Sequence, residues 1–317
     1  MNGHFFMSKL YDIMTFKKEY KNMKLQLTLN SLALILCCGD LIPSSTQPIS
    51  TQEWQEIEKK LKSAHKEPSM ITGMSIDTLT QIIGLDEFTA HKIEKRQKLL
   101  PDLFYALQNL ENQDIGVTTI YEEDYPASLR VLGTKMPLVI SYIGDLSLSY
   151  GVNISVAGPQ MMNKTMRHVT KEIMKKISKE GYTVVVGGSK GVEELALRTQ
   201  LTNNGNAVLF VADHMFDKIR LYSKYIKQNK LVIMTANDPY ALFDVTHALD
   251  KNLYICGMVF AQIVTGTHIG SGPVWFTSIQ NIHSHWTRQL VYETLDYSGN
   301  IRLIEMGEAH FTDEDLK

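Results

Sequence analysis

Cysteine is scarce. The 317-residue chain has three, Cys37, Cys38 and Cys256. An odd count with two neighbours suits no disulfide framework, and no CxxC occurs, so a reducing, cytoplasmic setting is expected. An excess of one charge is missing too. Thirty-two Lys and Arg stand against 34 Asp and Glu, a formal net charge of −2. The whole-protein field therefore does not draw in a polyanion, and any nucleic-acid contact must come from a local basic face. No hydrophobic run is long enough to span a bilayer. The most apolar one, Leu25–Cys38, is broken by Gln26, Thr28, Asn30 and Ser31, and no small-residue cleavage site follows it. It reads as a buried helix, and no membrane contact is expected. Catalytic signatures are few as well. There is no GxxxxGK[ST], GxGxxG or HExxH, and no Cys/His spacing for a metal. Glu193 and Glu194 are adjacent on a helix, so their side chains diverge and do not form an acid/base couple. No catalytic residue, metal site or cofactor is expected.

What is present is ordinary globular composition, 44% hydrophobic and 21% charged, with length for two domains. Met1–Lys24 is mixed polar, aromatic and basic. The first half then reads as helices: Leu25–Cys38, one opened by Ser50-Thr51-Gln52-Glu53 with Trp54, Ile57 and Leu61 at helical spacing, Ser75–Ile83, Phe88–Gln97 and Leu99–Asn112. Short helices about the Gly84-Leu85-Asp86 turn suggest a helix-hairpin-helix or SAM-like bundle. The pattern changes at Gly116–Ile120 and Leu138–Tyr142, which are β-rich. From Val152 buried-type strands alternate with amphipathic helices. The expected strands are Ile154–Ala157, Thr183–Val186, Ala207–Ala212, Leu231–Met234, Val259–Val264, Leu290–Tyr292 and Ile301–Ile304. The expected helices are Met162–Glu180, Val192–Asn203, Phe216–Gln228, Tyr240–Leu249 and Pro273–His283. Such alternation predicts an α/β fold, a parallel sheet with helices on both faces, behind a small helical N-terminal domain. The division falls at residues 1–114 and 115–317. The acidic tail Glu305–Asp315 is expected to be exposed.

Three polar loops follow predicted strands and precede helices, where parallel sheets bind ligands. The first holds Gly158, Pro159, Gln160, Asn163 and Lys164. The second is Gly187-Gly188-Ser189-Lys190-Gly191. The third runs Thr265-Gly266-Thr267-His268-Ile269-Gly270-Ser271-Gly272. Glycines let backbone approach a phosphate, and helix N-termini supply free N–H groups. Lys190 adds a charge. His268 reads as a loop residue, not a catalyst. Two helices also carry basic faces. One bears Lys164, Arg167, Lys171, Lys175, Lys176 and Lys179. The other bears Lys218, Arg220, Lys224, Lys227 and Lys230, with Tyr222 and Tyr225 able to stack on single-stranded bases.

Ordered segments from Gly116 to Tyr292 resemble the DprA/Smf DNA-processing proteins of the wider SLOG group. Asp124-Tyr125-Pro126-Ala-Ser-Leu129 and Met136-Pro137-Leu-Val-Ile-Ser-Tyr-Ile-Gly144-Asp145 look like that family's lead-in. Ile154-Ser-Val-Ala-Gly158 is similar to its first strand and turn. Gly181-Tyr-Thr-Val-Val-Val-Gly187-Gly188-Ser-Lys-Gly191-Val-Glu193 resembles its "GxxVvSGgArGID" motif, and Ala248–Tyr254 its "RNxxIyaL" segment. Gly266–Gly272 matches its "SGTxxGA"-like loop. This resemblance implies a Rossmann-like domain that binds single-stranded DNA, often as a homodimer, and hands it to a recombinase. It implies contacts at Gly158, Gln160, Asn163, Lys164, Gly187, Gly188, Ser189, Lys190, Gly191, Lys251, Asn252, Gly266, Thr267, Ser271 and Gly272. The family's arginines are here Gln160, Lys190 and Lys251, so each bidentate phosphate fork is lost, to a neutral amide at Gln160 and to point charges at the two lysines. The winged helix that closes many members is expected to be absent.

Three functions stay open. The first is a non-enzymatic single-stranded DNA-binding protein, in competence, recombination or phage defence, homo-oligomeric and with a pathway partner protein. The second is a SLOG-type nucleotide sensor. The third is an enzyme like the nucleotide phosphoribohydrolases, whose "PGGxGTxxE" glutamate the third loop lacks.

Overall fold

The computed structural model describes residues 25–316. Met1–Lys24 and Lys317 lie outside the described residues. Among the described residues four α-helices lead: α1 (Leu29–Cys38), α2 (Thr51–Ser63), α3 (Glu87–Gln97) and α4 (Leu100–Glu111). The α2 start bears out the capping reading. Glu53 N–H donates to Ser50 Oγ at 3.3 Å, and Ser50 N–H donates to Glu53 Oε2 at 2.6 Å. Ser50→Ala should therefore cost about 1 kcal/mol of stability, read as a lower urea midpoint. An unchanged midpoint would show that packing of Trp54 alone holds this helix.

Nine strands form one sheet: β1 (Gly116–Thr119), β2 (Val139–Ile143), β3 (Asn153–Ala157), β4 (Thr183–Val186), β5 (Ala207–Phe210), β6 (Leu231–Thr235), β7 (Ala261–Val264), β8 (Arg288–Tyr292) and β9 (Ala309–Phe311). Their order is β1-β2-β6-β5-β4-β3-β7-β8-β9. The pairings from β6 through β9 are parallel. The parallel sheet expected from Val152 onward is present, and the two β-rich segments before it join as an antiparallel edge, β1 with β2 and β2 with β6. Six helices connect the strands: α5 (Lys164–Lys179), α6 (Val192–Thr202), α7 (Met215–Lys227), α8 (Val245–Met258), α9 (Gly272–Ser284) and α10 (Ser298–Glu305).

Each sheet face carries its own apolar layer. Residues of α5, α6 and α7, such as Val169, Ile173, Leu197 and Met215, pack on Val184, Val186 and Leu209. On the other face one cluster joins the N-terminal helices to the sheet. It runs through Leu34, Trp54, Ile93 and Leu107 to Val185, Val208, Phe210 and Met234, and on to Ile255 and Met258 of α8. The strands are buried on both sides and so read as unbroken apolar runs.

Several local expectations are corrected. Ile301–Ile304 is not a strand but part of α10. Its β-branched ends suggested pairing, yet only Leu303 of the four is fully covered, a helical rather than alternating pattern. The helix placed at Tyr240–Leu249 begins at Val245, where Asp244 Oδ1 caps Thr246 N–H at 2.8 Å and His247 N–H at 3.1 Å, and it runs on to Met258. Ser75–Ile83 is chiefly a π-turn over Thr78–Ile82. The apolar helix at Leu25 begins only at Leu29, after a Thr28 cap. The acidic tail contributes β9, which pairs with β8 and buries Phe311.

Candidate nucleic-acid interface

From β3 the chain lays β4, β5 and β6 to one side, then β7, β8 and β9 to the other. The order reverses between β3 and β7, and ligands of open α/β sheets bind in the crevice beyond such a point. The three glycine loops meet there. Val192 N–H donates to Pro159 O at 3.2 Å, joining the second loop to the first. Thr265 N–H and its hydroxyl donate to Ala157 O at 2.9 and 3.1 Å, joining the third loop to β3. Between the first and third loops lies an open cleft of about 510 Å³, lined by Pro159, Met161, Asn163, His268, Asp296 and Tyr297. Its wall includes the His268 and Tyr297 rings, with centroids 5.1 Å apart.

Two lysines reach the Gly187-Gly188 turn of the second loop. A Cβ at Gly187 would displace the end of the Lys251 side chain. Lys251 comes from α8, is 6% exposed, and donates to Ser189 Oγ at 3.3 Å. Among the described residues no carboxylate pairs with it within salt-bridge range. Gly188 sits at φ +68°, a conformation glycine adopts without strain, and its missing Cβ position is 3.9 Å from Lys218 Nζ. Lys190 is exposed on the same turn. Lys218, from α7, belongs to the basic face expected on that helix, but nothing local in the sequence marks it as the cation that reaches the strand ends.

The anion attraction here rests on ammonium groups more than on free helix N–H groups. At the α6 start, Ser189 N–H already donates to Glu193 Oε2 at 2.9 Å, and Val192 N–H is taken by Pro159 O. Glu194 turns away to Arg198 at 2.7 Å, so the two glutamates diverge as expected. The α9 start differs, because Ser271 gives it no side-chain cap. Its first-turn N–H groups face the third loop, the arrangement that favours an anion.

The remaining predicted positions divide by role. Gly158 and Gln160 lie on the first loop, Gln160 exposed. Asn163 caps α5 by accepting from Met166 N–H at 2.7 Å, and its Nδ2 donates to Asp296 Oδ2 at 2.9 Å. Lys164, Ser271 and Gly272 are exposed, whereas Asn252 is half-buried on α8. Gly266 and Thr267 are buried, with Gly266 against the Tyr297 ring. A fully buried Asn300 holds this loop: its Oδ1 accepts from Thr267 N–H at 2.9 Å, and its Nδ2 donates to Thr265 O at 3.1 Å and Tyr292 O at 2.7 Å. Asn300 was missed because the segment after it read as a strand. The expected stacking role of Tyr222 is corrected: it is 7% exposed and belongs to the core.

Burial pushes the Cys37 and Cys256 thiols up to about 12, so neither offers a thiolate near neutrality. No group of His, Cys, Asp or Glu among the described residues could hold a metal ion. No helix among them is long and apolar enough to cross a membrane.

A nine-stranded, mostly parallel sheet with polar glycine loops at its carboxyl ends and a helical N-terminal layer defines a Rossmann-like α/β protein. The sequence matches the DNA recombination-mediator protein A family over residues 116–313, and the chain belongs to that family. The fold agrees. DNA processing protein A from Streptococcus pneumoniae superposes with a TM-score of 0.71 at 17% identity, covering 92% of this chain and 97% of that one. DNA processing protein A from Helicobacter pylori, described with its single-stranded DNA binding mode, gives a TM-score of 0.53 at 16% identity, over 63% of this chain and 92% of that one. No curated protein matches the sequence.

Proposed function

We propose that the protein binds single-stranded DNA at the carboxyl ends of its strands, without catalysis, as a step in DNA processing. One observation carries this reading: Lys218 and Lys251, from two different helices, reach the Gly187–Gly188 turn, and the exposed Lys190 stands two residues further along the same loop. Point cations around a groove suit a flexible polyanion better than a single fixed phosphate geometry. Family membership supports the same reading, and we propose with it a homo-oligomer that passes the strand to a recombinase in the cytoplasm. Gly158, Gln160, Lys164, Asn252, Ser271 and Gly272 are proposed as the accompanying contacts, since they lie on or beside the same three loops and helix α8.

The test is fluorescence anisotropy with labelled oligo-dT across a salt series. Three phosphate contacts should give a log–log slope of about −2, since each contact on a single strand contributes about −0.7. Absence of binding, or affinity indifferent to salt, would overturn the proposal. The 510 Å³ cleft is also of a size that holds small ligands, on the order of 300–1,000 Å³. A nucleotide that raises the melting temperature where oligo-dT does not would turn the assignment to a nucleotide sensor.

A further inference from the structure

The strand-end lysines do not account for a second basic surface, on α5. Helix α5 starts at the cleft rim, with Asn163 as its cap tied to Asp296. Its inner side is fully used: Met166, Val169, Thr170, Ile173, Met174 and Ile177 are buried. Its outer side carries Lys164, Arg167, Lys171, Lys175, Lys176 and Lys179, all exposed. At about 100° per residue, Lys164, Arg167, Lys171 and Lys175 fall within roughly a quarter of the circumference. From Lys164 to Lys179 the row is about 22 Å long at 1.5 Å per residue.

The local acids neutralise only part of it. Glu172 pairs with Lys175 at 2.6 Å and lies 3.9 Å from His168. Lys176 donates to the backbone carbonyl of Asp315 at 2.8 Å, while that residue's carboxylate is held by Thr312. Glu180 closes the helix. Arg167, Lys171 and Lys179 pair with no carboxylate among the described residues. Self-repulsion along such a row is relieved only by an anionic partner or by salt.

We propose that the outer face of α5 is a second track for the backbone of single-stranded nucleic acid, continuing from the cleft and lengthening the bound segment by several phosphates. This rests on the strand-binding reading above. Its partner is fixed by charge and by continuity: a polyanion leaving the cleft past Asn163 meets Lys164 first, then Arg167, Lys171 and Lys179 in line. The row offers phosphate contacts and no base-reading groups, so it adds affinity without sequence preference.

The experiment compares wild type with an Arg167→Ala, Lys171→Ala, Lys179→Ala variant on oligo-dT of about 5 and about 15 nucleotides, lengths that bracket a short and an extended site. The three residues are exposed, and an unchanged melting curve confirms the variant's fold. On the short strand the two proteins should bind alike. On the long strand the variant should lose about tenfold in affinity, with a salt slope shallower by about 2 from three lost contacts. Equal affinity and slope on the long strand would overturn the second track while leaving the strand-end site standing. Wild type binding neither length would overturn both.

Discussion

Lys251→Met should raise the melting temperature and abolish most strand binding in the same molecule. Lys251 is 6% exposed as a residue, and the protein partner of its ammonium is one hydroxyl, Ser189 Oγ at 3.3 Å. Taking an ammonium out of water costs several kcal/mol, which a counter-charge normally offsets, and among the described residues none is in salt-bridge range. Methionine keeps the unbranched stem that packs against Gly187 and removes the charge. A gain of about 1–2 kcal/mol follows, or on the order of 2–6 °C in melting temperature for a chain of this size. A strand phosphate supplies the missing counter-charge, and a charge-assisted hydrogen bond in that setting is worth about 1.5–3 kcal/mol, so affinity should fall about 10- to 100-fold. Thermal melts with and without oligo-dT read both halves, because only wild type should gain stability from the strand. A lower melting temperature with intact binding would make Lys251 a structural prop.

The sequence pattern and the structure agree where the determinant is local. The strands Ile154–Ala157, Thr183–Val186 and Leu231–Met234 lie in observed strands, because a strand buried on both faces must be apolar throughout. The Gly187-Gly188 and Gly266 turns were legible for a like reason, since a Cβ at Gly187 or Gly266 would crowd Lys251 or Tyr297 and Gly188 holds a positive φ. What was not legible depends on distant partners. Lys218 joins the turn only because α7 returns across β5 and β6. The tail becomes a strand only because β8 offers an open edge. Ile301–Ile304 was ambiguous from the start, since four apolar-rich residues fit either periodicity. The antiparallel β1–β2 edge carries no signal that separates it from a parallel one.

Asn300→Ala should have a different signature: it should lose stability and binding together. The carboxamide makes three buried hydrogen bonds, from Thr267 N–H and to the carbonyls of Thr265 and Tyr292, and is itself fully buried. Alanine leaves one donor and two acceptors without partners in a dry site, each costing about 1–3 kcal/mol less whatever relaxation recovers, so a net loss of about 3–5 kcal/mol is expected. The urea midpoint should fall at unchanged slope, the mark of a change in stability rather than in the denatured state. Asn300→Asp is the stricter test, because it keeps the acceptor for Thr267 but sets a carboxylate against two carbonyl oxygens, and should be worse than alanine. Under conditions where the alanine variant remains folded, its third loop is no longer tied to β8 and α10, and strand affinity should drop about tenfold through the lost preorganisation. A destabilised variant that still binds as wild type would remove the Gly266–Gly272 loop from the interface and leave the lysine turn to act alone.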